Sequence, residues 1–262
     1  MKDGFRAICL SIAAATSVLL TGAGEAPRLG KNAEFIDDIP DVTQTAARGP
    51  AYGDGQQFCA PAAAANSLSW LAGSGDAEAL MRKLSSNEFM NTSLKNGTGA
   101  SGFLRGVGRY ARATFGSYKR LELRGWRSLK GNLKNLRGSE TITPEWLAKG
   151  VGRKSTVWMN IGWYKYRKST NAYWRIGGHW VTLVGYDFTK STQLIIHDPA
   201  PRAGAGFKNH FLVISTVDSG TLQGRKQRLP RPAVGSIRIE RGLHIKPGAT
   251  VALIDAAIRL EL

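Results

Sequence analysis

Apolar positions along this chain change their period near residue 155, from a helical spacing to a strand-like alternation. Residues 59–71 are Ala-rich, with Leu68 and Leu71 on one face, and predict a helix. Pro61 is tolerated there because amides of a first helical turn have no intrahelical partner to lose. Asp76 stands where it caps a second helix over 77–84, and Ser101 where it caps a third over 102–114, in which Phe103, Val107 and Tyr110 or Ala111 share one side. The run Thr143-Pro144-Glu145-Trp146 signals a last helix, with Thr143 as N-cap and Pro144 at the first helical position.

Short runs rich in β-branched and aromatic residues then predict strands over 156–164, 179–187, 193–198 and 209–215, with 236–240 and 249–262 as two more. A helical first half followed by an antiparallel second half is the pattern of an α+β protein. Its two parts pack as lobes and leave a groove between them. The boundaries read as a helical lobe over about 51–150 and a β-lobe over about 151–262, preceded by an extended arm over 27–50 rich in Pro, Gly, Asp and Ala.

The first residues carry a different message. Lys2 and Arg6 flank an uncharged apolar run over 7–20, and Thr21-Gly22-Ala23 supplies small residues for cleavage, so residues 1–26 read as a signal peptide and the product as secreted or periplasmic. The apolar run is too short to span a bilayer. Net charge is +17, and removing the leader leaves it unchanged, since Lys2 and Arg6 leave together with Asp3 and Glu25. The basic residues are spread over 119–134, 153–168 and 225–241. That spread describes a basic surface on a folded body, which attracts anionic envelope polymers or lipid non-specifically; no specific nucleic-acid contact is expected.

Of two cysteines, Cys9 lies in the leader and Cys59 is left without a disulfide partner. Cys59 opens the Ala-rich helix, and a helix N-terminus stabilises a thiolate. In the second half, Gly177-Gly178-His179 puts an imidazole at the expected start of a strand, after two glycines that allow another backbone to approach closely. In Gln193-Leu194-Ile195-Ile196-His197-Asp198-Pro199, period-two alternation sends His197 and Asp198 to opposite faces. Antiparallel pairing brings the end of this strand beside the start of the other and selects Asp198 as the partner of His179. A Cys, a His and an Asp in this order suit a thiolate nucleophile, its proton-carrying base and an acceptor that orients the ring. No second cysteine and no His pair at ligand spacing suggests a metal site, and no cofactor is expected.

These residues resemble the papain-like cysteine peptidases, and most closely their bacterial C39-like branch. Cys59-Ala60-Pro61-Ala62-Ala63 is similar to the branch's Cys-Gly-Pro-Ala-Ala, Gly178-His179-Trp180-Val181 through Gly185-Tyr186-Asp187 to its Gly-His strand ending in Gly-Tyr-Asp, and His197-Asp198-Pro199 to its Asn-Asp-Pro. The resemblance implies a papain-like two-lobe fold over 51–262, with thiol hydrolysis of peptide or protein substrates in the groove. It also implies an oxyanion-binding glutamine about six residues before the cysteine, where this chain has Gly53; Gln56 and Gln57 are the candidates that remain. Cys-His-Asp order alone leaves open a related thiol acyltransferase or amidase, transglutaminase-like or acting on the cell wall, and an inactive peptide-binding protein on the same scaffold. The oligomeric state is likewise open.

Overall fold

A computed structural model describes residues 32–203, 208–224 and 230–262. The leader read over 1–26 lies outside the described residues. Among the described residues, four α-helices, α1 (Cys59–Leu71), α2 (Ala77–Ser85), α3 (Ala100–Phe115) and α4 (Pro144–Ala148), accompany ten strands. The strands are β1 (Ala33–Phe35), β2 (Arg120–Gly125), β3 (Ser155–Arg167), β4 (Ala172–Asp187), β5 (Gln193–His197), β6 (Asn209–Thr216), β7 (Thr221–Gln223), β8 (Arg231–Pro232), β9 (Ile237–Arg241) and β10 (Val251–Glu261). Helices precede the long antiparallel strands, so the class is α+β.

Local chemistry sets the helix starts. The Asp76 carboxylate accepts from the Ala79 amide at 2.8 Å, and Thr143 Oγ1 from the Trp146 amide at 3.2 Å. Each satisfies a donor that the first helical turn leaves unpaired. At α3 the expected cap is not used. Gly99 occupies the N-cap position, and Ser101 Oγ instead accepts from the Lys130 amide at 3.1 Å, tying the segment after β2 to the helix.

Antiparallel pairing runs β3–β4–β5–β6–β9–β10, and β10 returns to β3, so these strands close into a barrel. Met159, Ile161, Val181, Ile196, Leu212, Ile239 and Ile254 are buried in one apolar cluster contributed by these strands. Burying each such side chain stabilises the fold by roughly 1.5–3 kcal/mol over leaving it in water. β2 extends the sheet from β10, and β1 pairs with the end of β4.

Helices cover the other face of β3 and β4. Phe103 packs on Trp158 and Trp180 with ring centroids 5.2 and 4.4 Å apart. Ala60 and Ala62 to Ala65 are fully buried. Their small side chains let α1 lie close enough for the Ala63 carbonyl to accept from Trp158 Nε1 at 3.1 Å and from Thr182 Oγ1 at 2.7 Å.

β4 begins at Ala172, well before the start expected at His179, because the strand continues through Gly177 and Gly178 in register with β3 across a bulge at Trp163 and Tyr164. Those glycines do not admit another backbone as their main service. Gly162 and Gly178 are cross-strand partners, and a Cβ on Gly162 would overlap the Asp255 carboxylate while one on Gly178 would overlap the Arg175 guanidinium. Asp255 projects from a bulge in β10 and accepts from Trp126 Nε1 at 3.0 Å, from Tyr164 Oη and from Arg175 Nε. Held by three donors, the carboxylate cannot step aside. Gly162→Ala should therefore cost about 1–3 kcal/mol through overpacking, read as a lowered urea midpoint at unchanged m-value; an unshifted midpoint would show that the carboxylate is not fixed there.

Candidate functional site

Cys59 is the first residue of α1, half-buried and free of any disulfide. The residue before it, Phe58, is buried edge-on against Tyr52 with centroids 5.7 Å apart, which anchors the turn into the helix. His179 lies opposite Ile161 on β3, and Trp163 stacks near-parallel to its ring at 6.4 Å. Asp198 follows β5, with Oδ1 2.5 Å from His179 Nε2 and accepting from the Ala200 amide at 2.9 Å. Arg202 Nη2 stands 3.9 Å from the other oxygen. His197, paired with Thr182, turns the opposite way and sets its ring nitrogens 3.2 Å from the Pro40 carbonyl and 3.0 Å from Asn209 Oδ1.

The electrostatics follow from these contacts. Burial opposes charge on His179, yet hydrogen bonds to Asp198 and Cys59 and the charges of both outweigh it and hold the imidazole up at about 9. Burial likewise opposes charge on Asp198, but the His179 hydrogen bond and charge, the Ala200 amide and Arg202 keep it below the usual carboxylate range. Burial pushes His197 the other way, below the ordinary histidine value, against the opposing Pro40 and Asn209 hydrogen bonds. Cys59, His179 and Asp198 are thus brought together, in the order sulfur, ring, carboxylate.

Gln56 and Gln57 do not share this placement. Gln56 is exposed, its amide bonding Asp54 Oδ1 at 3.0 Å, and Gln57 is half-buried. A different glutamine reaches the site's border. Gln44, only 4% exposed, donates from its backbone to the Pro199 carbonyl at 2.7 Å and from Nε2 to the Gln56 carbonyl at 2.7 Å. Its Oε1 is buried without a partner among the described residues. Gln44 therefore bridges the Asp198-Pro199 turn and the loop entering Cys59.

Reading 27–50 as an extended arm outside the lobes hid this residue. The arm is fastened by Val42 N donating to Asn66 Oδ1 at 3.0 Å, by the Pro40 carbonyl on His197, and by Asp41 accepting from the Lys208 amide at 2.9 Å. Burial pushes Asp41 up to about 6, the Lys208 hydrogen bond and His210 opposing and Asp198 adding to the rise. The apolar Ile36 and Ile39, both buried, were the available sign that this segment belongs to the body.

Among the described residues no group of three or more His, Cys, Asp or Glu side chains gathers at metal-binding range. A cavity of about 510 Å³ lies elsewhere, bounded by Trp126, Glu140, Arg231, Ser236 and Asp255 and by none of Cys59, His179 or Asp198.

The profile of the family described as Peptidase_C39 like matches residues 36–215, a span that begins in the arm and contains Gln44, Cys59, His179 and Asp198. No curated protein matches the chain.

The raised His179 value has a measurable consequence. Because its folded pKa lies above the unfolded one, the ring's contribution to stability is complete below about 6.5 and is lost as pH rises through about 9. A ring titration followed by NMR should place His179 near 9, and in Asp198→Asn the midpoint should fall. A wild-type midpoint at the ordinary histidine value would show that Asp198 does not hold the charged ring.

Proposed function

The chain belongs to the C39-like peptidase family, and from that premise we propose that it is a secreted or periplasmic cysteine peptidase on a papain-like two-lobed scaffold. The observation that carries the reading is the buried His179 ring, set between the Cys59 sulfur and the Asp198 carboxylate. With the proton on His179 and the sulfur as thiolate, Sγ attacks the scissile carbonyl carbon and forms the S–C bond. His179 then gives its proton to the amine as the C–N bond breaks. Water attacks the resulting thioester while His179 takes its proton, and the C–S bond breaks to release the acid.

Asp198 accepts from Nε2 and leaves Nδ1 for the sulfur, so it fixes both the tautomer and the tilt of the ring. Trp163 covers one face and limits water access. For the oxyanion, the donors are the Cys59 backbone amide and Gln44. One N–H of the Gln44 amide is engaged by the Gln56 carbonyl, which leaves the second for a substrate oxygen. This assignment replaces Gln56 and Gln57, whose position in the loop does not bury them beside the Asp198-Pro199 turn.

Two measurements test the reading. Incubation with a diverse peptide library, read by mass spectrometry, should yield cleavage that Cys59→Ala abolishes; transpeptidated or aminated products would indicate an acyltransferase, and no Cys59-dependent product from folded protein would leave a peptide-binding scaffold. On a cleaved peptide, Gln44→Ala should lower kcat by roughly 10²–10³, as removal of one oxyanion donor does. Gln56→Ala and Gln57→Ala should stay near wild type. Equal effects of all three substitutions would remove Gln44 from the oxyanion site.

A further inference from the structure

Directly beneath Gly178, and so one residue from His179, lies a polar cluster that the hydrolytic steps do not use. Arg175 Nε is ion-paired with the fully buried Asp255, and its Nη2 donates to Asn160 Oδ1 at 3.2 Å. Asn160 Nδ2 in turn donates to the His179 carbonyl at 3.4 Å. A second guanidinium joins this group: Arg127 sits 5.2 Å over the Trp126 ring, whose indole N–H is bonded to the same Asp255.

The charges in this cluster do not balance. Arg127 feels the repulsion of Arg175, and both guanidinium groups feel the attraction of the one carboxylate, Asp255. Asp255 is already occupied by Trp126, Tyr164 and Arg175. Among the described residues Arg127 makes no side-chain hydrogen bond or ion pair, although burial and Arg175 both work against its charge. An unpaired, half-buried guanidinium beside another is costly unless something anionic completes it. The planar fork of arginine matches a carboxylate. The segment carrying Arg127 is joined to the start of α3 through Lys130 and Ser101, and Trp180, next to His179, donates from its indole to the Thr98 carbonyl at 3.0 Å just before that helix. The segment that carries Arg127 and the strand that carries His179 thus both contact the chain at the start of α3.

The geometry points to a carboxylate-binding subsite formed by Arg127 with Arg175, which receives an acidic side chain or the free chain end of a peptide substrate. Naming the ligand a peptide rests on the peptidase reading; the unbalanced pair of arginines does not. The basic surface, with its net charge of +17, favours encounter with such ligands.

The test uses the full chain carrying Cys59→Ala, so that binding is measured without turnover. Alanine-based hexapeptides with Glu or Gln at one position, each with a free or an amidated C-terminus, are titrated calorimetrically. Carboxylate-bearing peptides should bind about tenfold or more tightly than their amide counterparts, weakening with salt, and Arg127→Gln in the same background should remove most of that preference. Arg127 is the variant of choice because the Arg175–Asp255 pair, which supports the fold, is left intact. Loss on Glu→Gln exchange identifies a side-chain carboxylate, and loss on amidation a chain end. Equal affinities for acid and amide, no binding by any peptide, or a preference that survives Arg127→Gln would each overturn the subsite. Failure of the peptidase reading looks different: acid preference in binding persists while the Cys59-containing chain cleaves nothing. Cys59-dependent cleavage indifferent to acidic residues keeps the peptidase and discards the subsite.

Discussion

The seating of α1 on β3 and β4 governs the rest of the structure. One carbonyl, that of Ala63, accepts from both Trp158 and Thr182, and these two donors come from adjacent strands. Because buried hydrogen-bonding groups left unpaired cost about 1–3 kcal/mol each, neither strand can slide along the helix without losing a bond. Cys59 is one helical turn before Ala63, and His179 is three residues before Thr182 on β4. The same contact therefore fixes the separation of sulfur and imidazole. The alanine run is the sequence expression of this requirement: a larger side chain at Ala62 to Ala65, all without exposure, would lift the helix off the sheet.

A second constraint acts from the opposite side. The stretch from Pro40 to Gln44 is fastened to α1 by Asn66, to β5 by His197 and to the Asp198-Pro199 turn by its own backbone. It wedges the end of β5 against β4, which holds the Asp198 carboxylate on the ring. Placing Gln44 on that wedge couples the proposed oxyanion donor to the geometry of the His179–Asp198 pair. Asp41 shows the electrostatic cost of this packing: its carboxyl is buried near Asp198, with one oxygen bonded to Lys208 and the other unpaired among the described residues.

What the sequence made legible was local, and what it hid was long-range. Helix starts at Asp76 and Thr143, the helix opening at Cys59 and the opposite facing of His197 and Asp198 all follow from rules spanning a few residues. The α+β class follows from the change of period. Gln44 was concealed because residues 45–58 separate it from Cys59, a distance along the chain beyond the reach of short spacing rules. The true start of β4 was concealed for a related reason. Gly177 and Gly178 read as a boundary, whereas Gly178 makes room for an ion pair whose second member, Asp255, lies far along the chain. Closure of the barrel through β10 is also a contact between distant segments, invisible to periodicity.

The ion pair beneath Gly178 raises the question of why the protein places charge there at all. Apolar residues of similar volume would hold two strands together at least as well, since desolvating an ion pair commonly offsets its attraction. A role confined to stability would also be served by Arg175 alone, matched one to one with Asp255. The presence of Arg127 breaks that match and leaves positive charge in the cluster that underlies Gly178, one residue before His179. The positive potential favours any negative charge that enters beside it, and a substrate carboxylate seated on Arg127 would supply the charge that balances the pair.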